Sequence, residues 1–286
     1  MKRLLLVGCG DIALRVADKL KKKYLLFGLI RSLKHLKDLR SRGIVPVIGD
    51  LDNLNSLKKI SGISDDILHF APPSPLGLID RRTINLLHTI KSSGILPQRL
   101  IYISTSGVYG DAKGKWVSET DSPNPSTDRG IRRLNAENLI RKFGRDSGVS
   151  VSVLRVPGIY SKDRLPLTRL KTKMPLIRDE DDSFSNHVHV ADLVRIVIAA
   201  LRKGKSGRIY NVCDNSTLKV GDYFDIIAKG YGFEKPRRLK WQDAKIEIPP
   251  SIFSFMRESR RINNARLKSE LIENFYYSSV SDGIFY

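Results

Sequence analysis

Gly8, Gly10 and Ala13, within the stretch LLLVGCGDIALRVA at residues 4–17, have the G-x-G-x-x-A spacing of a phosphate cradle. In that chemistry Gly8 permits a sharp turn, Gly10 lets a pyrophosphate approach the backbone, and small Ala13 lets a helix pack closely on the preceding strand. The free N–H groups of the helix then face the anion. Arg31 follows the next apolar run, Tyr24 to Ile30. At about 20 residues beyond the glycines an acidic side chain would bond the ribose hydroxyls of NAD, whereas arginine can pair with the 2′-phosphate of NADP. Asp and Glu are absent from Leu25 to His35. Arg31 and Ser32, with Lys34, therefore read as a phosphate pocket, the alternative being a solvated loop, and NADP is expected over NAD.

A second group of reactive side chains, Ser104-Thr105-Ser106, ends the apolar run Leu100 to Ile103. Hydroxyls at a strand end either cap nearby backbone or bond a substrate oxygen. His187 and His189 alternate as on a strand with no third metal ligand in view, so they read as structural, with Asp192 capping or orienting, and no metal is expected. Cys9 and Cys213 have neither metal nor redox spacing, and reduced thiols are the default.

The elements that must position these groups follow a strand and helix alternation. Leu4 to Val7, Tyr24 to Ile30, Ile44 to Ile48, Ile67 to Ala71 and Leu100 to Ile103 are short apolar runs suited to a buried parallel sheet. Between them, Ile12, Val16 and Leu20 keep helical spacing, as do Ile79, Thr83, Leu86, Leu87 and Ile90, while Asp52 to Ser61 reads as a short helix with Leu54 and Leu57 inward. The rigid Pro72-Pro73-Ser74-Pro75 would lie at the carboxyl edge of the sheet, where open α/β folds bind ligands. Val190 to Leu201 and Val220 to Tyr231 read as helices, and Arg208 to Cys213 as a late strand. The expected fold is a doubly wound parallel sheet, a Rossmann fold, with a smaller C-terminal substrate domain. The dinucleotide-binding domain is expected over 1–160, completed by 187–215, and the substrate-binding part over 161–186 and 216–286.

The 286 residues carry 50 Lys and Arg against 30 Asp and Glu, a formal charge of +20 that raises the question of nucleic acid. The basic residues are scattered over separate elements without interleaved aromatics, so specific nucleic-acid binding is not expected. No apolar stretch approaches the ~20 residues that span a bilayer, and with Met1-Lys2-Arg3 leading straight into the first strand no signal peptide is expected. A cytoplasmic protein without a membrane partner is expected, with a homo-oligomer left open.

Several separated motifs together resemble the extended short-chain dehydrogenase/reductase family, which includes NAD(P)-dependent sugar-nucleotide epimerases and dehydratases. These are the glycine turn, Gly49-Asp50-Leu51, His69-Phe70-Ala71, the run Tyr102 to Gly110, Leu154 to Tyr160, and Asn186 to Leu193. The resemblance implies that Gly8, Gly10 and Ala13 meet the pyrophosphate, Asp50 and Leu51 the adenine, and Ala71 and Pro72 the ribose. Asp11, Ile12 and Pro157 join the cofactor contacts, and Thr105 matches the catalytic Ser/Thr. It also implies an oxidoreductase or epimerase-like activity on a small anionic, nucleotide-linked substrate, with Arg164 and Arg169 as candidate substrate contacts.

The family's Tyr-x-x-x-Lys pair is where the chain departs, because the matching positions are Arg129 and Arg133. A phenol titrates near ~10 and exchanges a proton, while guanidinium stays protonated. Arg129 and Arg133, one helical turn apart, read either as a clamp for phosphate or carboxylate or as a salt-bridged stripe with Glu137. The other functional reading is a non-catalytic NADP-binding sensor or interaction module that has lost turnover with the tyrosine.

Overall fold

In a computed structural model that describes residues 1–285, the apolar runs become strands of one seven-stranded sheet, with Ile44–Ile48 at its edge. The strands are β1 (Lys2–Val7), β2 (Tyr24–Ile30), β3 (Ile44–Ile48), β4 (Asp66–His69), β5 (Arg99–Thr105), β6 (Ser150–Val156) and β7 (Arg208–Asn211). Their order is β7-β6-β5-β4-β1-β2-β3, and β1 pairs in parallel with both β2 and β4. The chain thus leaves β1 in one direction through β2 and β3 and returns to its other side with β4. That reversal is the topological switch point at which doubly wound sheets bind ligands. The expected Rossmann fold is present.

Leu4, Leu5, Leu6 and Val7 are fully buried, as a central strand covered on both faces requires. Helix α1 (Asp11–Leu20) buries Ala13, Val16, Ala17 and Leu20, so its inner face is centred on the alanines while Ile12 is only half-buried. Helix α2 (Arg81–Ser92) begins after Asp80, whose side chain accepts the N–H groups of Arg82 and Thr83, which leaves Ile79 outside the helix and exposed. The segment Leu54–Ile60 is a 3-10 helix whose three-residue turn stacks Leu54, Leu57 and Ile60 on one face; Leu57 and Ile60 are buried, while Leu54, at the start of the segment, is 39% exposed, contrary to the expected inward Leu54. Helix α3 (Asp128–Ser147) is capped by Thr127 and ends at left-handed Gly148, and α4 (Val190–Lys203) precedes β7.

Two compact units divide the chain, one comprising Met1–Val108, Thr127–Arg155 and Val194–Tyr210, the other Tyr109–Ser126, Val156–Leu193 and the chain from Asn211 onward. Relative to the expected 1–160, the segment Tyr109–Ser126 falls in the second unit. There its Trp116–Val117 strand pairs in parallel with Arg261–Ile262. The second unit otherwise combines short strand pairs, such as Gly158–Tyr160 beside His187–His189, with helices such as the expected Val220–Tyr231, around a core that includes Tyr160, Phe224, Ile227 and Met256 of its own. No helix among the described residues is long and apolar enough to cross a membrane.

Candidate cofactor and active site

The turn after β1 has the shape that its glycines require. Gly8 has φ +90°, and a Cβ there would stand 2.6 Å from the backbone nitrogen of Ala71, which itself donates to the Val7 carbonyl at 2.9 Å. Only glycine permits this approach of the β1 turn to the chain leaving β4. Gly10 caps α1 with no side-chain hydrogen bond to the helix, and a Cβ on it would meet nothing within 4 Å. Open space therefore lies beside Gly10 at the start of α1, whose first N–H groups have no side-chain cap, as a pyrophosphate site needs. Ala13 is buried, while Asp11 and Ile12 form the first helical turn.

Beyond β2, Arg31 is exposed, and Ser32 accepts the Lys34 N–H at 3.3 Å. Asp50 follows β3 with its N–H given to Ser56 Oγ at 2.8 Å, and the carbonyl of buried Leu51 accepts Asn85 Nδ2 at 2.8 Å. The pair missed at the sequence level is Asp52 and Arg82. Arg82 donates to both Asp52 oxygens, at 2.8 and 2.6 Å, and to the Pro72 carbonyl at 3.2 Å. The Arg82 hydrogen bonds, and after them the charges of Arg82 and Arg31, hold Asp52 below the usual carboxylate range against desolvation. Asp52 is thus an acid within the field of Arg31, but both its oxygens are occupied.

At the end of β5, half-buried Thr105 accepts the Gly107 N–H at 3.2 Å, and buried Ser104 donates to Glu137 Oε1 at 2.5 Å. Glu137 is paired with Arg155 of β6 through Nη2 at 2.8 Å and Nε at 3.2 Å, both side chains being fully buried. The structure therefore replaces the stripe expected along α3: Glu137 points into the sheet rather than along the helix to Arg133. Arg133 instead donates Nη1 to the Ile103 carbonyl at 2.8 Å and to the Tyr102 hydroxyl at 3.0 Å. Burial pushes the Tyr102 phenol up to about 12 although Arg133 opposes the shift, so Tyr102 is no replacement for the absent tyrosine near neutral pH. Behind it, His69 Nε2 meets Thr83 Oγ1 at 3.2 Å, and Thr83 donates to Asp80 Oδ2 at 2.6 Å. Burial first, and then the charge of Arg133, lowers His69 to about 3, which keeps it neutral.

In the second unit, Pro157 is half-buried and Arg164 is exposed in the 3-10 turn Lys162–Arg164. Arg169 lies over the Phe224 ring at 5.8 Å. The two other tyrosines of the motifs are engaged within that unit: Tyr109 donates to Asn211 Oδ1 at 2.8 Å and Tyr160 to the Ser279 carbonyl at 2.9 Å. His187 stacks on Tyr223 with centroids 4.0 Å apart, and Asp192 accepts the N–H groups of Tyr276 and Tyr277. Among the described residues no three His, Cys, Asp or Glu side chains gather as a metal site.

Residues 75–213 match a known family model, described as the NAD dependent epimerase/dehydratase family. The similarity to that family spans this segment of the chain. Protein YeeZ of Escherichia coli (strain K12) is 25% identical over 248 residues, which cover 83% of this chain and 86% of that protein. Among solved structures, a functionally unknown conserved protein from Silicibacter pomeroyi DSS is similar with 25% identity and a TM-score of 0.84, covering 99% of this chain and 97% of that one. UDP-glucuronic acid 4-epimerase from Bacillus cereus, in complex with NAD, shares the fold with a TM-score of 0.77 at 21% identity, covering 99% and 96% of the two chains. The epimerase/dehydratase match begins within the proline loop after β4 and includes Thr105, Arg129 and Arg133.

Proposed function

We propose that the chain is an NADP-dependent enzyme of the epimerase/dehydratase type acting on an anionic, nucleotide-linked substrate. The observation that carries the dinucleotide is the approach of Gly8 to Ala71 beside the open N-terminus of α1 at Gly10. The preference for NADP rests on Arg31 together with Asp52. Because Arg82 donates to both Asp52 oxygens, this acid is tied to α2, and Arg31 is left to meet a 2′-phosphate.

When bound, the nicotinamide would accept and return hydride at a substrate carbon. In this reading Thr105 bonds the oxygen on that carbon, and Arg129 and Arg133 contribute positive charge toward an anionic group. Guanidinium does not exchange a proton near neutral pH, and the Tyr102, Tyr109 and Tyr160 hydroxyls are each already donating or deeply buried. Water or the substrate's own hydroxyls are then the proton source.

Calorimetric titration with NADPH and NADH, followed by incubation with UDP- and dTDP-linked hexoses and product analysis by NMR, tests this. Tighter NADPH binding and conversion of a nucleotide sugar are expected. Absence of dinucleotide binding would overturn the reading, and binding without conversion of any nucleotide sugar would reduce it to a cofactor-binding module.

A further inference from the structure

The second unit contains a cavity of about 390 Å³ that uses none of the residues assigned above. It lies between the turn that follows β7, Asp214 to Thr217, and the segment Ile262 to Lys268, with Trp116 as a wall. Its frame is held by side-chain amides. Buried Asn264 donates Nδ2 to the carbonyls of Cys213 and Asp214, both at 3.0 Å, and to Asn215 Oδ1 at 3.1 Å. Asn263 takes the Val117 carbonyl through its N–H at 2.9 Å and caps the Ala265 N–H with Oδ1 at 2.8 Å.

These bonds fix the polarity of the rim. Asn215 Oδ1 accepts from Asn264 and, at 3.4 Å, from Lys268 Nζ, so the Asn215 amide nitrogen faces away from them as a donor. Ser216 Oγ accepts the Val280 N–H at 3.2 Å and gives its own hydrogen to the Asp214 carboxyl, which fixes the turn. Thr217, exposed at the same turn, adds a hydroxyl that both donates and accepts. Trp116 is 53% exposed although Arg261 lies over its ring at 5.4 Å, and Arg261 is itself held between that indole and Phe184 and donates to the Gly114 carbonyl at 2.7 Å. A large aromatic is thus kept in place at an open, mostly apolar cavity whose rim carries amide and hydroxyl groups.

An apolar ligand would leave that rim unpaired, and a strongly anionic one would find a single lysine beside the buried Asp214 carboxyl. A ring with C–H on its faces and hydroxyls on its edge satisfies both surfaces. We propose that this cavity is a binding site for a neutral monosaccharide ring, seated against Trp116 and hydrogen-bonded by Asn215 and Thr217. The site stands independently of the cofactor and of any turnover.

The chain has two tryptophans, so Trp241→Phe leaves Trp116 as the sole indole reporter. Titration of that variant with glucose, galactose and mannose should change Trp116 emission saturably for at least one hexose, with Kd on the order of 1–10 mM. Ala265→Leu, which places bulk in the cavity from an exposed position, should weaken the response at least about tenfold. Saturation-transfer NMR with the same hexoses on the unsubstituted full chain gives the same answer if Trp241→Phe fails to fold. No hexose response up to ~100 mM, an equal response in Ala265→Leu, or a response to inorganic phosphate alone would overturn the assignment.

Discussion

Glu137 and Arg155 form an ion pair in which the two side chains keep 1% and 2% of their surface, with Arg155 Nη2 2.8 Å from Glu137 Oε2. The pair ties α3 to β6, and through Ser104 to the end of β5, next to Thr105. Removing one partner would strand a buried charge, which costs about 3–5 kcal/mol, whereas an apolar pair of similar volume is often tolerated. Arg155→Ala or Glu137→Ala is therefore expected to lose roughly that much stability in urea denaturation, and Glu137→Leu with Arg155→Met to recover most of it. Equal losses in the single and double variants would refute the charge argument.

At the cofactor end, Arg31→Asp should reverse or abolish the preference for NADPH over NADH while leaving thermal stability unchanged, because Arg31 is exposed. Gly8→Ala should abolish binding of both dinucleotides and destabilise the fold by about 1–3 kcal/mol, since its Cβ would press on Ala71 at a positive φ. Calorimetry with the two cofactors checks both. Equal affinities of NADPH and NADH for the unsubstituted chain would refute the 2′-phosphate argument alone.

Arg133→Ala should weaken binding of an anionic substrate more than it changes any pH-dependent chemical step, because guanidinium supplies charge and donors, not a titrating proton. It also leaves the buried Tyr102 hydroxyl without its Nη1 partner, at about 1–3 kcal/mol. Arg133→Lys, which keeps the charge, should recover binding more fully than stability. A large loss of the chemical step at unchanged affinity would instead make Arg133 catalytic.

Acid should destabilise the fold through His69 and His187, which burial lowers to about 3. Above ~6.5 both are neutral whether folded or not; below it the unfolded chain takes up protons that the folded one refuses, so stability falls as pH drops toward about 3. Each contributes up to ~1.4 kcal/mol per pH unit. Asp214, which burial pushes up to about 7, acts in the opposite sense, because the folded form holds a proton that the unfolded form releases above ~4. His69→Gln should flatten the acid side of a plot of Tm against pH, and an unaltered profile would show that His69 is not the titrating group.

Any association with DNA or RNA should be weak, insensitive to sequence and lost steeply as salt rises from ~50 to ~200 mM, since scattered charge supplies only counterion release. Fluorescence anisotropy with unrelated oligonucleotides measures it. Sequence-selective binding that survives physiological salt would contradict this.

The strand, turn and helix around Gly8 were legible in the amino-acid order because every signal there is local: a buried run, a positive-φ glycine and a helical repeat lie within 20 residues. The alternation of apolar runs likewise specified the Rossmann class. Helix α3 was the opposite case, since charged and polar residues occur all around it and spacing alone does not say which are inward. Only the packing of α3 against β5 and β6 gave Glu137 to Arg155 and turned Arg133 toward Ile103 and Tyr102. The occupation of Asp52 by Arg82 is likewise tertiary, because it joins the loop after β3 to α2 across 30 positions. Periodicity reports which residues a segment hides, whereas the partner of a charge depends on which distant segment the fold brings within hydrogen-bond reach.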